Sequence, residues 1–242
     1  MGMTATNAIT VEDLSFGYEK GPRCFSHFQL NIPSGARFGI FGPNGAGKTT
    51  LMHLMTGVLP FSEGRITIDG VDLKKDPQEV KRHIGFVPQE LALYMELSPM
   101  ENLDFFGTCC GLDGRTIRER GEQLLDILGL LDVKDRPVRT FSGGMKRRVN
   151  LAAGVIHEPR LLFLDEPTVG VDVQTRHAII KYLKELNAKG TTLIYTSHQL
   201  AEAEELCEQV AMIDHGTLVH EGAASGLEEL FLQKTGRAYR DG

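Results

Sequence analysis

The run Gly42-Pro43-Asn44-Gly45-Ala46-Gly47-Lys48-Thr49 has the makings of a phosphate cradle. Backbone N–H groups wrap closely around phosphate oxygens only where side chains do not hold the loop away, so this chemistry calls for glycine. Lys48 can reach the β- and γ-phosphates of a nucleotide, and the Thr49 hydroxyl can ligate Mg2+. A helix opening at Lys48 would add the partial positive charge of its N-terminus. This is the P-loop spacing. A glycine-rich turn with a chance lysine would explain the composition, but not the complete match set between an apolar strand and a helix. Gly42 to Thr49, with Thr50 beside them, are the expected nucleotide-binding residues.

A second run, Leu161-Leu162-Phe163-Leu164-Asp165-Glu166, is an apolar segment that ends in two acids. Asp165 suits contact with Mg2+. Glu166 suits the base that polarises an attacking water, a role that contributes about 10²–10⁴ in rate. Alone this is a weak signal, because many apolar strands end in an acidic turn. Downstream of a P-loop it reads as the other half of a nucleotide-hydrolysing site.

These motifs need elements to hold them. Arg37–Phe41 is a short apolar strand that runs into the glycine-rich loop, and Lys48–Thr56 reads as a helix. Leu161–Leu164 and Thr191–Thr196 are further strands, separated by a helix from Val173 to Ala188. Apolar strands without alternation are buried on both faces, so the central sheet is expected to be mostly parallel and covered by helices. Ile9–Phe16, Phe25–Ile32 and Gly64–Ile68, the last closed by Asp69-Gly70, read as strands of an N-terminal antiparallel part. Gln209–Ile213 and Thr217–His220 make a final strand pair around Gly216. From Pro99 to about His157 the pattern turns helical, with Leu124, Leu125, Leu128 and Leu131 at helical spacing. The fold class is α/β, with a helical insertion.

The run Phe141-Ser142-Gly143-Gly144-Met145-Lys146-Arg147-Arg148, just before a predicted helix, offers a second phosphate cradle. It combines a serine hydroxyl, exposed glycine amides and a helix N-terminus. It resembles the signature motif of ABC ATPases, usually Leu-Ser-Gly-Gly-Gln, with departures at Phe141 and Met145. Met145 replaces a glutamine that could hydrogen-bond, while the Ser-Gly-Gly part is intact. The resemblance covers nearly the whole chain and implies a head-to-tail dimer, in which Ser142, Gly143 and Gly144 serve the nucleotide of the opposite copy. It further implies that Gln89 senses Mg2+ and water and that His198 contacts the γ-phosphate. Asp172 would couple the two sites, and Tyr18 would stack on adenine. The implied cofactors are ATP and Mg2+, with Thr49, Gln89 and Asp165 at the metal, and Glu166, His198, Gln89 and Lys48 in catalysis.

By the same resemblance, residues 1–88 and 158–225 form a nucleotide-binding core with a β-subdomain. Residues 89–157 form a helical subdomain, and 226–242 a closing helix and tail. The run Ser142–Arg148, the segment Glu96–Leu103 and the tail Gly226–Arg240 resemble bacterial and archaeal exporter subunits. An integral membrane subunit would insert near Gln89, where Leu93, Tyr94, Met95, Leu97, Phe105 and Phe106 are the apolar candidates, although subdomain core is the better reading of the two phenylalanines. The expected role is an ATPase that drives a transporter, as a homodimer held at the inner face of the membrane. The alternative is a soluble ABC ATPase acting on a non-membrane partner such as a cluster-assembly scaffold.

Composition bounds these readings. At 242 residues the chain can hold one α/β domain with a sizeable core. The net charge of −6 argues against a general nucleic-acid binder, which needs a surplus of lysine and arginine. No stretch approaches the roughly 20 apolar residues that span a bilayer. The four cysteines have no metal-ligand spacing and read as reduced, mostly buried thiols of a cytoplasmic protein.

Overall fold

The computed structural model describes residues 6–19, 21–197 and 200–235. Two sheets organise them. The first is antiparallel, with strands β1 (Asn7–Gly17), β2 (Arg23–Pro33), β4 (Glu63–Ile68) and β5 (Val71–Asp72) in the order β2-β1-β4-β5. Val11 lies opposite Leu30 on one side and Ile66 on the other, so apolar residues line up across three strands.

The second sheet has the order β10-β9-β3-β8-β7-β6. It comprises β3 (Arg37–Phe41), β6 (Ile84–Val87), β7 (Leu161–Asp165), β8 (Thr192–Thr196), β9 (Gln209–Asp214) and β10 (Thr217–Ala223). Pairings from β9 through β6 are parallel, and β10 returns antiparallel at the edge. Side chains of a strand alternate between faces, so an unbroken apolar run must feed two cores. Leu161, Phe163 and Ile194 pack toward the antiparallel sheet and helix α1 (Lys48–Met55), together with Phe38, Ile40 and Met52. Leu162, Leu164, Leu193 and Tyr195 pack toward the helices on the other face.

Those helices are α3 (Pro99–Cys109), α4 (Gly114–Ile127), α5 (Gly143–Val155) and α6 (Val173–Ala188), and each starts at a side-chain cap. Ser98 and Glu101 form a capping box on α3, while Asp113, Ser142 and Asp172 cap the other three. The leucine periodicity overruns its helix. α4 stops at Ile127, Gly129 takes φ +65, and Leu131 falls in a separate 3-10 turn. Four short elements carried no sequence expectation: β5, α2 (Pro77–His83), β6, and α7 (Leu200–Leu206). The tail forms α8 (Leu227–Thr235), which buries Leu227 and Phe231.

The cysteine expectation needs correcting. All four thiols are free, but Cys207 alone is buried. Cys109 and Cys110 are exposed because they close α3 on its solvent side.

Candidate nucleotide site

The glycine-rich loop leaves the end of β3 in a conformation that only glycine satisfies. Gly42 has φ +153, and a Cβ there would lie 2.0 Å from the carbonyl oxygen of Ile213. Gly47 has φ +106 and lies against the ring of Phe25. The loop is tied to the β9–β10 turn, where the Gly216 amide donates to the carbonyl of Ala46 at 3.1 Å. Gly47 caps α1 without a side-chain bond, and no acid stands in the first turn, so the helix end keeps its positive character.

Lys48 is buried, and its Nζ donates to the carbonyls of Gly42 (2.8 Å) and Pro43 (3.1 Å). Burial lowers its pKa, and the charges of Glu166 and Asp165 oppose that shift. The lysine and both acids therefore share one electrostatic environment. Asn44, Gly45 and Thr49 are exposed along the loop and the first turn of α1. Thr50 lies one residue on, its Oγ1 3.2 Å from the hydroxyl of Tyr18. Tyr18 is half exposed and edges onto Phe16, beside a cleft of about 700 Å³ that Arg23, Leu59, Phe61 and Glu63 also line. A cleft of about 830 Å³ between α3 and α4, lined by Glu101, Asp104 and Arg115 among others, contains none of the expected site residues.

Asp165 and Glu166 are both buried at the end of β7. Asp165 Oδ1 accepts a 2.6 Å bond from Thr196 Oγ1. Glu166 takes φ +48, a left-handed conformation uncommon outside glycine, and its amide donates to Thr196. His198 lies outside the described residues. The neighbouring Ser197 is buried and donates to Glu202 Oε2 at 3.0 Å.

Ser142, Gly143, Gly144 and Asp172 gather at a different place, where the N-termini of α5 and α6 meet. The Ser142 hydroxyl accepts from the Met145 amide at 3.3 Å, and both Ser142 and Gly143 are exposed. A Cβ on Gly144 would lie 3.1 Å from Thr175 Oγ1 and 3.4 Å from Asp172 Oδ2. Asp172 accepts from both the amide and the hydroxyl of Thr175, and these bonds hold its carboxyl below the usual range. Met145 is partly buried against the core, a place in which its apolar side chain fits.

Gln89 is exposed, and its segment is fastened to α5. Its carbonyl accepts from the Arg147 guanidinium. The buried Asn150 side chain accepts from the Ala92 amide (3.1 Å) and donates to the Pro88 carbonyl (3.4 Å). Burial lowers the Arg147 pKa, and Glu166 opposes the shift. Arg147, Asn150 and Thr196 were missed as site residues. The first two stand at i, i+3 beyond the Ser-Gly-Gly run, but nothing in the sequence says which loop they grip.

Beyond Gln89, Tyr94 and Phe105 are 48% and 41% exposed and stack edge to face at 4.7 Å, whereas Leu93, Met95 and Phe106 pack on the core. Phe105 thus departs from the expectation that both phenylalanines are core. Among the described residues no helix is long and apolar enough to cross a membrane.

The family model for ABC transporters matches residues 25–169. The linearmycin resistance ATP-binding protein LnrL of Bacillus subtilis (strain 168) is 43% identical over 198 residues, which is 82% of this chain and 64% of that protein. The daunorubicin/doxorubicin resistance ATP-binding protein DrrA of Streptomyces peucetius is 37% identical over 94% of this chain and 69% of its own length. The chain therefore spans about two thirds of these relatives. A solved dimeric ATP-binding cassette in a post-hydrolysis state with ADP and Pi superposes with a TM-score of 0.82 at 25% identity, covering 90% of this chain and 99% of that one. The matched stretch takes in the glycine-rich loop, the Ser-Gly-Gly run and the two acids in their folded places, and the chain belongs to the ABC transporter family as an ATP-binding domain.

Proposed function

We propose that this chain is the ATP-hydrolysing subunit of an exporter and works as a pair of copies against an integral membrane subunit. The observation that carries the reading is the presence of two phosphate cradles within one chain, each with its own neighbours. Lys48 sits with Asp165 and Glu166, while Ser142 and Gly144 sit with Asp172 at the mouths of α5 and α6. A head-to-tail pair would bring the second cradle of one copy to the nucleotide of the other, and the solved cassette described as dimeric supports pairing as such.

Tyr18 would stack on the base, and the amides of Gly42 to Thr50 with Lys48 would hold the phosphates. Thr49, Gln89 and Asp165 supply oxygen donors, the hard ligand type that Mg2+ takes. Mg2+ bound with the nucleotide neutralises charge on the transferred phosphate. Glu166 accepts a proton from the attacking water, His198 steadies the γ-phosphate, and Asp172 couples the two sites. Loss of the phosphate shared by both copies then loosens the pair.

The exposed Tyr94–Phe105 pair, one loop beyond Gln89, supports a docking place there for the membrane subunit. Such docking would hold the chain on the cytoplasmic face. The resistance functions in the names of LnrL and DrrA favour export of a toxic compound.

The test is size exclusion of Glu166→Gln with and without Mg2+-ATP. The reading expects a shift from monomer to dimer with ATP, and hydrolysis reduced by about 10²–10⁴. A variant that binds ATP and stays monomeric would sink the homodimer.

A further inference from the structure

The last residues of β8 divide between the two sides of the sheet, as residues of a strand must. Tyr195 and Ser197 share one side. The Tyr195 hydroxyl lies 3.4 Å from Thr168 Oγ1, and its burial and the nearby charge of Glu202, which accepts from Ser197, push its pKa well above the usual value. All four are buried, so the end of the strand is flanked by buried polar contacts.

Thr196 faces the opposite side, beside its register partner Asp165, and is fully buried. Its hydroxyl donates to Asp165 Oδ1 at 2.6 Å and accepts from the Glu166 amide at 3.2 Å. The Leu164 carbonyl is 3.5 Å from the same oxygen, too far to compete with a short bond to a carboxylate. A hydroxyl has one proton and two lone pairs, and this arrangement uses the proton on Asp165 and a lone pair on Glu166. The Glu166 amide also donates to the Thr196 carbonyl at 3.2 Å. One residue thus grips both sides of the left-handed turn at Glu166, a conformation that persists only where its surroundings impose it.

We infer that Thr196 is a positioning residue for hydrolysis. Its hydroxyl sets the Asp165 carboxylate and the Glu166 backbone relative to one another, so that a single buried atom fixes the spacing of the two acids. The inference rests on the hydrolytic roles proposed above for Asp165 and Glu166. Tyr195, Ser197 and Glu202 matter here because they keep the strand end, and with it the hydroxyl, from moving.

Thr196→Val keeps the shape of the side chain and removes the oxygen, while Thr196→Ser keeps the oxygen. Steady-state hydrolysis by the full chain with Mg2+-ATP gives kcat and KM. A fluorescent ATP analogue gives the binding constant, and a thermal melt reports folding. Misplacement of reacting groups by about 1 Å can cost about 10² in rate, so Thr196→Val is expected to lose at least about tenfold in kcat. Nucleotide affinity should stay within about twofold, because Lys48 and the loop amides are untouched. Thr196→Ser is expected to retain most of the wild-type kcat. If the valine variant does not fold, Thr196→Ala against Thr196→Ser isolates the same oxygen.

Equal kcat for Thr196→Val and wild type overturns the inference. So does a serine variant as slow as the valine one, which would trace the loss to packing. A wild-type chain without turnover, alone or with its partners, removes the reaction and overturns the hydrolytic reading as well. Wild-type turnover matched by Thr196→Val overturns only the role of Thr196.

Discussion

Gly154 is the next-to-last residue of α5, still in helical conformation, where alanine would ordinarily be welcome. Glycine in a helix interior is about 0.8–1.0 kcal/mol worse than alanine, so propensity alone predicts that Gly154→Ala stabilises. Space predicts the reverse. A Cβ at this position would lie 2.5 Å from Val87 Cγ2 and 3.4 Å from the Phe86 carbonyl oxygen. Val87 is buried in β6, and its β-branched side chain has little freedom to swing aside. The opposing surface is no softer, because a Cβ on Gly85 would lie 2.3 Å from the Gly154 carbonyl oxygen. Backbone here packs on backbone, and forcing a methyl into such a seam costs about 1–3 kcal/mol. The depth of the overlap places the cost toward the upper end, for a net loss of about 1–2 kcal/mol after the propensity gain. Gly121 in α4 supplies the contrast. Its added Cβ would meet Met100 Cε at 3.1 Å, Met100 Sδ at 3.2 Å and Leu103 Cδ1 at 3.3 Å, all far ends of side chains that need give only a few tenths of an ångström, and methionine yields readily. Gly121→Ala should therefore be neutral, or more stable by up to about 1 kcal/mol. Urea denaturation midpoints of the two variants measure both signs at once. A Gly154→Ala midpoint at or above wild type would refute the reasoning, as would two shifts of equal size and sign. The same push should displace Arg147 and Asn150, so Gly154→Ala is also expected to lower ATP turnover under conditions where the protein remains folded.

Gly216→Ala should be more severe. Its φ is +73, its Cβ would fall 1.5 Å from the Cys24 carbonyl oxygen, and its amide holds Ala46 of the phosphate loop. A loss of about 3 kcal/mol or more is expected, with weakened nucleotide binding, read by denaturation and a nucleotide titration. His157 should give stability a pH dependence. Burial, opposed by a bond to the Ile84 carbonyl at 2.9 Å and reinforced by the charge of Arg120, holds its pKa below the ordinary 6.5. The unfolded imidazole binds a proton more readily than the native one, so this contribution is complete above pH 6.5 and is lost as pH falls through the lowered native value. Denaturation midpoints of wild type and His157→Gln across that range should diverge, with the variant showing the shallower acid slope.

The parallel strands could be read from the sequence because burial on both faces leaves apolar runs such as Leu161–Leu164 without polar interruption. β6 escaped for a different reason: it is four residues long with Gly85 inside it, and only its packing against Gly154, Pro159 and Leu162 explains that glycine. α2 and α7 are seven residues each, too short for a period to show. Phosphate chemistry is local, and a cradle must be written in consecutive residues, so Gly42–Thr49 is a candidate by its spacing and Ser142–Gly144 by its resemblance to a family motif. Position is not local. Thr196 reaches Asp165 across 31 residues because of the register of β7 and β8, and Asn150 reaches Ala92 across 58 because α5 lies against the end of β6. These long-range bonds carry a mechanical consequence that the motifs do not. Ser142 and Gly144 open α5, while Arg147 and Asn150, further along the same helix, hold the Gln89 segment through three hydrogen bonds. With Gly85 and Gly154 in backbone contact, the segment has little slack relative to the helix. A displacement of the Ser-Gly-Gly cradle would therefore be passed to Gln89 by a rigid helix.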